Sequence, residues 1–181
     1  MPRSGVLAGW LLAALVVLLA AVTLPPSPVA AQSGGAAAAE NAQGRVTGLP
    51  IPRFVSFRAE TVNMRTGPGL RYPIDWVYRR KDMPVQIVDE FEAWRRIRDW
   101  EDSSGWVHSV MLQSKRTARL VGEEPAILRA RANPNAEAVA LVPAGAVGTL
   151  DKCEGNWCLL NFDRHLGWLS RDRLFGVDEN D

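Results

Sequence analysis

From Arg53 onward the chain is written in short apolar runs separated by turn signals: Thr66-Gly67-Pro68-Gly69, Lys81-Asp82-Met83-Pro84, Asp102-Ser103-Ser104-Gly105, Asn133-Pro134-Asn135, Pro143-Ala144-Gly145 and Glu154-Gly155-Asn156. Few stretches keep a helical period for three turns. Many short strands with a turn every ten residues or so predict a small all-β barrel or sandwich. Strands are expected at Phe54–Phe57, Thr61–Met64, Pro84–Asp89, Trp94–Asp99 and Gly105–His108, with a long loop over Arg65–Trp76 and a 3₁₀ turn at Val110–Leu112. The N-terminal part reads differently. Val6–Leu24 is apolar and uncharged, Pro25, Pro26 and Pro28 follow, and Gln32–Pro52 is rich in Ala, Gly and Pro with little periodicity.

The β-rich part repeats itself. Val62-Asn63-Met64-Arg65 is echoed by Ala126-Ile127-Leu128-Arg129, Trp94 by Trp157, and Gly105-Trp106-Val107 by Gly167-Trp168-Leu169. The three landmarks recur in the same order with a nearly constant offset. The unit is too long for a solenoid repeat and right for a small barrel. Lys115–Glu124 is left as a connector short enough for the two units to touch.

These residues carry a family likeness. Asn63, Met64, Arg65, Gly67, Pro68 and Gly69, then Trp94, then Gly105 and Trp106, resemble the bacterial SH3 domain. In that family an Asn-hydrophobic-Arg-x-Gly-Pro motif follows the first strand, a Trp opens the return strand of the central hairpin, and Gly-Trp-aliphatic closes the barrel. The second unit lacks Gly-Pro-Gly but keeps Trp157, Gly167 and Trp168. The resemblance implies two tandem SH3-like β-barrels, at 53–114 and 119–178, behind a signal peptide (1–31) and a flexible linker (32–52). It also resembles exported tandem SH3-like proteins of Gram-negative bacteria. Gly67 and Gly69 are expected to supply positive φ around Pro68. Met64 and Leu128 are expected to face inward beside outward-facing arginines. Gly105 and Gly167 are expected to allow a bend or a close approach.

Export follows from the N-terminus. Arg3 and the terminal amine precede the apolar run, and Val29-Ala30-Ala31 has the small residues that a signal peptidase reads, with cleavage expected before Gln32. The alternative is a retained anchor. After cleavage no membrane span is expected, and the location is periplasmic or secreted. Lys and Arg number 21 against 20 Asp and Glu. That balance argues against a nucleic-acid binder, which needs basic excess to neutralise phosphates.

The two cysteines, Cys153 and Cys158, flank the turn of the second central hairpin. A structural disulfide is expected, against free thiols or a catalytic or metal role. The repeat offset aligns them with Glu90 and Arg95, an opposite-charge pair at the same place. Trp94, Trp106, Trp157 and Trp168 recur, so they are assigned to packing. Trp76 and Trp100 have no counterpart in the second unit. With Tyr72 and Tyr78 they form the candidate ligand-binding set, a groove between the long loop and the neighbouring hairpin. The alternative is that Trp76 and Trp100 pack between the barrels. Arg79-Arg80-Lys81 and Arg95-Arg96-Ile97-Arg98 are interleaved with acids and read as a solvated, ion-paired face, with an anionic envelope ligand as the other reading.

Nothing in the motifs points to catalysis. The histidines are His108 and His165, and no His-Glu-x-x-His, Gly-x-Ser-x-Gly or phosphate-loop pattern occurs. No catalytic residue, metal site or cofactor is expected. The expected function is a non-catalytic binding or targeting module for cell-wall peptide or an envelope protein. A periplasmic adaptor is the alternative, and a cell-wall hydrolase is a distant third. The first unit is expected to carry recognition and the second to support it.

Overall fold

The computed structural model describes residues 42–178 and Asp181; the expected signal peptide and the start of the linker lie outside the described residues. Within them the chain is all β, apart from two 3₁₀ turns. Its strands are β1 (Ala42–Gln43), β2 (Pro50–Ile51), β3 (Arg53–Phe57), β4 (Val62–Arg65), β5 (Ile74–Tyr78), β6 (Pro84–Phe91), β7 (Trp94–Arg98), β8 (Ser104–His108), β9 (Leu112–Gln113), β10 (Thr117–Leu120), β11 (Ala126–Arg129), β12 (Ala138–Val142), β13 (Val147–Glu154), β14 (Trp157–Phe162), β15 (His165–Ser170) and β16 (Leu174–Phe175). The 3₁₀ turns, Ser109–Met111 and Arg171–Arg173, sit at equivalent places. No helix among the described residues is long and apolar enough to cross a membrane.

Two seven-stranded antiparallel sheets result, ordered β5-β4-β8-β7-β6-β3-β9 and β12-β11-β15-β14-β13-β10-β16. The two orders are the same topology used twice. Each sheet has its own core. Phe57, Val62, Met64, Tyr78, Val85, Ile87, Ile97, Val107 and Leu112 come from all seven strands of the first sheet and meet in one cluster, so that sheet must curl around them. Ala118, Leu120, Ala126, Leu128, Val142, Leu150, Leu160, Leu169 and Leu174 do the same in the second. The end strands of each sheet are not paired with each other. The expected barrels are thus curled sheets with two free edges, β5 and β12 being the longer.

Side-chain alternation works as expected: Met64 and Leu128 are buried, and Arg65 and Arg129 point away. Each arginine then pins the loop that follows. Arg65 donates to the Tyr72 carbonyl at 2.8 Å, and Arg129 donates to the Ala136 carbonyl at 2.7 Å. Gly105 and Gly167 are close-approach glycines. A Cβ on Gly105 would meet Met64 Cγ at 2.5 Å and the Arg65 carbonyl at 2.9 Å; one on Gly167 would meet Leu128 Cγ at 2.5 Å and the Arg129 carbonyl at 2.9 Å.

Several expectations are corrected. The long loop does not run to Trp76, because its return arm, β5, pairs with β4 and puts Trp76 opposite Met64. Lys115–Glu124 is not all connector, because Thr117–Leu120 pairs with β13 and β16 as the opening strand of the second sheet. The linker is not free along its whole length. Its last part forms the β1–β2 hairpin, whose turn donates to Glu90 through the Val46 and Thr47 amides at 3.0 and 2.8 Å, while Arg45 bridges Asp89 at 2.8 Å. Finally, neither Gly67 nor Gly69 has positive φ. Gly67 is demanded by space: a Cβ there would lie 2.5 Å from the Tyr72 ring.

Candidate functional site

The four aromatics of the candidate set go to three different places. Tyr78 is core. It is 3% exposed, packs on Phe57 with ring centroids 4.9 Å apart, and donates its hydroxyl to Asp99 Oδ2 at 2.8 Å. Burial, then the Asp99 hydrogen bond and the charges of Asp99, Glu101 and Asp75, push its phenol far above the ordinary tyrosine value. It cannot act as a contact surface, and its place in the ligand-binding set is corrected. Tyr72 folds back over Gly67, under the Arg71 guanidinium at 5.1 Å, as a loop-packing residue. The inward side of strand alternation took Tyr78, and a glycine-shaped hole took Tyr72.

Trp76 and Trp100 do come together. With Met64, Asp75, Asp99, Glu101 and Ser103 they line a pocket of about 200 Å³ in the first repeat. Trp76 stands on the free edge strand β5 and is 60% exposed. Trp100 sits in the β7–β8 turn. Its inner side meets the first core, its ring centroid lies 6.3 Å from that of Tyr78, and its indole N–H donates to Glu101 Oε1 at 3.1 Å. The turn is organised by Asp99, whose Oδ1 accepts the Glu101 and Ser103 amides, both at 3.0 Å. Asp99 is thereby consumed in structure, while Asp75 and Glu101 stay exposed at the rim.

One residue of this neighbourhood comes from the second repeat. The Arg119 guanidinium lies 4.3 Å from the Trp100 ring centroid, a cation–π distance. Desolvation lowers the Arg119 pKa, and the Glu101 and Asp99 charges oppose that effect. Trp100 therefore serves both as a pocket wall and as a contact between repeats. Other contacts join the repeats nearby: Arg80 donates to the Gly145 carbonyl at 3.2 Å, Thr117 to the Asp82 carbonyl at 2.8 Å, and Phe54 meets Phe175 edge-on at 5.2 Å. The sequence reading missed Asp75, Asp99, Glu101 and Arg119. Three of them adjoin a singled-out Trp in sequence, and that adjacency was the available signal. Arg119 carried none.

The second repeat has a pocket at the equivalent place, with different chemistry. Strand pairing aligns Trp76 with Ala140 and Tyr78 with Val142, because Met64 and Val62 face the former as Leu128 and Ala126 face the latter. Continuing along β7 and β14 aligns Asp99 with Phe162 and Trp100 with Asp163. The resulting hollow holds about 420 Å³ and is lined by Ala140, Val142, Phe162, Asp163 and His165, with Arg80 reaching in from the first repeat. Loss of the two indoles enlarges it, and Phe162 removes the turn-organising carboxylate.

A sequence model described as the bacterial SH3 domain matches residues 58–113 and 122–176, together more than half of the chain. The chain belongs to the bacterial SH3 family. A search of the curated proteins returns no match. Among solved structures the chain is similar to NlpC1 from Trichomonas vaginalis (15% identity, TM-score 0.32, covering 73% of this chain and 48% of that one). It is also similar to NlpC2 from the same organism (16% identity, TM-score 0.32, covering 70% and 50%). The chain thus spans about half the length of either structure.

The two bacterial SH3 repeats also differ at the base of the central hairpin. Cys153 and Cys158 are cross-strand partners and form a disulfide, with Cα atoms 4.0 Å apart. Glu90 and Arg95 are cross-strand partners at the same place, with Arg95 Nε 3.5 Å from Glu90 Oε1. Glu90 does more than pair with Arg95. Its carboxylate is fully buried and also accepts from Arg53 Nη2 at 2.7 Å, the Thr47 hydroxyl at 2.7 Å and two amides of the β1–β2 turn. Burial alone would raise its pKa. Arg53, Thr47 and Val46 more than offset that and hold it at about 2. The basic cluster is largely spent in such contacts, since Arg98 bonds Gln86 and pairs with Asp102. Among the described residues no group of three or more His, Cys, Asp and Glu side chains is placed to hold a metal ion.

Proposed function

We propose that this protein is an exported, non-catalytic binding module that recognises a cell-wall peptide through the Trp76–Trp100 pocket of its first repeat. One observation carries the reading. Trp76, largely exposed on the free edge strand β5, lines one concave site together with a second indole, Trp100. Membership of the bacterial SH3 family supports a binding role in general, since such domains bind peptides or proteins. The disulfide is in keeping with a location outside the cytoplasm.

Co-sedimentation with purified murein sacculi tests the reading. The protein is expected to sediment with sacculi, and Trp76→Ala is expected to remain in the supernatant. If the unaltered protein stays soluble, wall binding is wrong. A photo-crosslinking side chain at Ser103, on the pocket rim, then identifies the partner in cells: glycan-peptide adducts support the wall reading, and adducts with a single envelope protein make the chain an adaptor.

A further inference from the structure

The chemistry of the pocket says more than that it binds a peptide. Its walls are two indoles, whose π faces attract cations. Its rim carries Asp75 and Glu101, both exposed, and its floor carries Asp99. Asp99 has its oxygens occupied by Tyr78, Glu101 and Ser103, but its charge remains. Three carboxylates thus surround about 200 Å³, and no basic side chain lines it. A second observation points the same way. The cation that the protein itself brings to this neighbourhood, the Arg119 guanidinium, is already seated on the Trp100 ring. The Tyr78 phenol beneath the site is pushed up first by burial and the Asp99 hydrogen bond, and then by the charges of Asp99, Glu101 and Asp75. The second repeat supplies an internal contrast. Its equivalent hollow has Ala140 and Phe162 in place of an indole and an acid, keeps one carboxylate, Asp163, and adds Arg80 and His165.

We infer that the first-repeat pocket selects a cationic side chain, an ammonium group on an aliphatic stem, held between the Trp76 and Trp100 indoles with Asp75 and Glu101 neutralising its charge. The inference rests on the reading of this pocket as the recognition site and adds the class of group recognised. The basic clusters of the sequence do not form this site, so an anionic ligand does not fit it. A lysine or another diamino acid in a short peptide has the required shape. The indoles clasp the stem, which keeps its hydrophobic contact, while the ammonium stays at the acidic rim and is not stripped fully of water.

The test uses the whole protein with its Trp indole N–H resonances assigned. It is titrated with three capped tripeptides, Gly-Lys-Gly, Gly-acetyllysine-Gly and Gly-Glu-Gly. The lysine peptide is expected to shift the Trp76 and Trp100 signals and leave Trp157 and Trp168 in place. Its affinity should exceed that of the acetyllysine peptide by roughly tenfold, and the glutamate peptide should not bind. The pair Asp75→Asn and Glu101→Gln leaves the Tyr78–Asp99 bond untouched and keeps an acceptor for Trp100. It should abolish the preference for lysine while leaving the protein folded, as judged by unchanged Trp157 and Trp168 signals. If lysine and acetyllysine bind equally well at Trp76 and Trp100, the pocket stands as a peptide site and the cation selectivity is wrong. If no peptide moves either indole, both fall.

Discussion

At the base of the central hairpin the two repeats hold the same pair of backbone positions together in unlike ways. The second repeat uses one covalent bond, Cys153–Cys158, which joins strands β13 and β14 and packs against the second core but reaches no third segment through hydrogen bonds. The first uses Glu90, whose carboxylate gathers Arg95 from the partner strand, Arg53 from β3, and the turn of the β1–β2 hairpin. A disulfide ties two points. A buried carboxylate accepts several donors at once, so it can fix a third segment. The difference explains why the end of the linker is docked on the first repeat: replacing Glu90 by a half-cystine would leave Val46, Thr47 and Arg53 without their acceptor.

The contrast predicts unequal responses. The largest should come from Glu90→Ala, which takes the shared carboxylate away from two guanidiniums, the Thr47 hydroxyl and two turn amides. A loss of about 3–5 kcal/mol is expected in denaturant titration, with hydrogen exchange at 42–51 rising to that of an unprotected segment. Glu90 also sets a pH dependence. Its carboxyl is held at about 2 in the fold, against 4.5 for a free glutamate. It therefore contributes stability above about pH 4.5, and that contribution is lost as pH falls towards 2. The drop should be on the order of 3 kcal/mol, and Glu90→Gln should flatten it. Retention of the full acid sensitivity in that variant would show that other carboxylates set it.

Removing the disulfide should matter less. The chain-entropy model gives about 2 kcal/mol for so short a loop. The double change Cys153→Ala with Cys158→Ala should lower protection in β13 and β14 and leave β1–β9 unchanged. If the first repeat loses protection equally, the repeats unfold as one unit. Smaller again is Gly67→Ala, which should cost about 1–2 kcal/mol through the Tyr72 ring and be rescued by Tyr72→Ala. The second repeat already contains that combination, with Arg131 at the glycine's position and the small Ala136 at the tyrosine's. Trp76→Ala should change stability least, within about 0.5 kcal/mol as for other exposed positions, yet abolish sacculus binding. A large loss of stability would return Trp76 to the category of packing.

Much of the fold was legible in the chain. Alternation placed Met64 and Leu128 inward, the repeat offset aligned Glu90–Arg95 with Cys153–Cys158, and the Gly-Trp landmarks marked β8 and β15. The pocket was half legible. Non-repetition singled out Trp76 and Trp100, because a residue needed to build the sheet tends to recur in both copies. Tyr72 and Tyr78, grouped with them in the expected groove, do not line the pocket. Both lack a counterpart because Ala136 and Val142 fill the equivalent spaces with smaller groups, a difference of packing and not of recognition.

What the sequence determined by itself, then, is what depends on local pattern: strand periodicity, turn residues, and the doubling of one unit. The tertiary structure decided what depends on contacts distant along the chain. It took β5 out of the loop by giving it β4 to pair with, and it docked the linker's end by supplying a buried carboxylate more than forty residues away in sequence. It also laid Arg119 of the second repeat on Trp100 of the first. The chemical character of the pocket is of this second kind. The basic runs are conspicuous in the sequence, yet the fold buries Arg95 against Glu90, aims Arg98 at Gln86 and Asp102, and leaves the acids beside the two indoles. The sign of charge at a site is set by where side chains point, and that only the folded sheet determines.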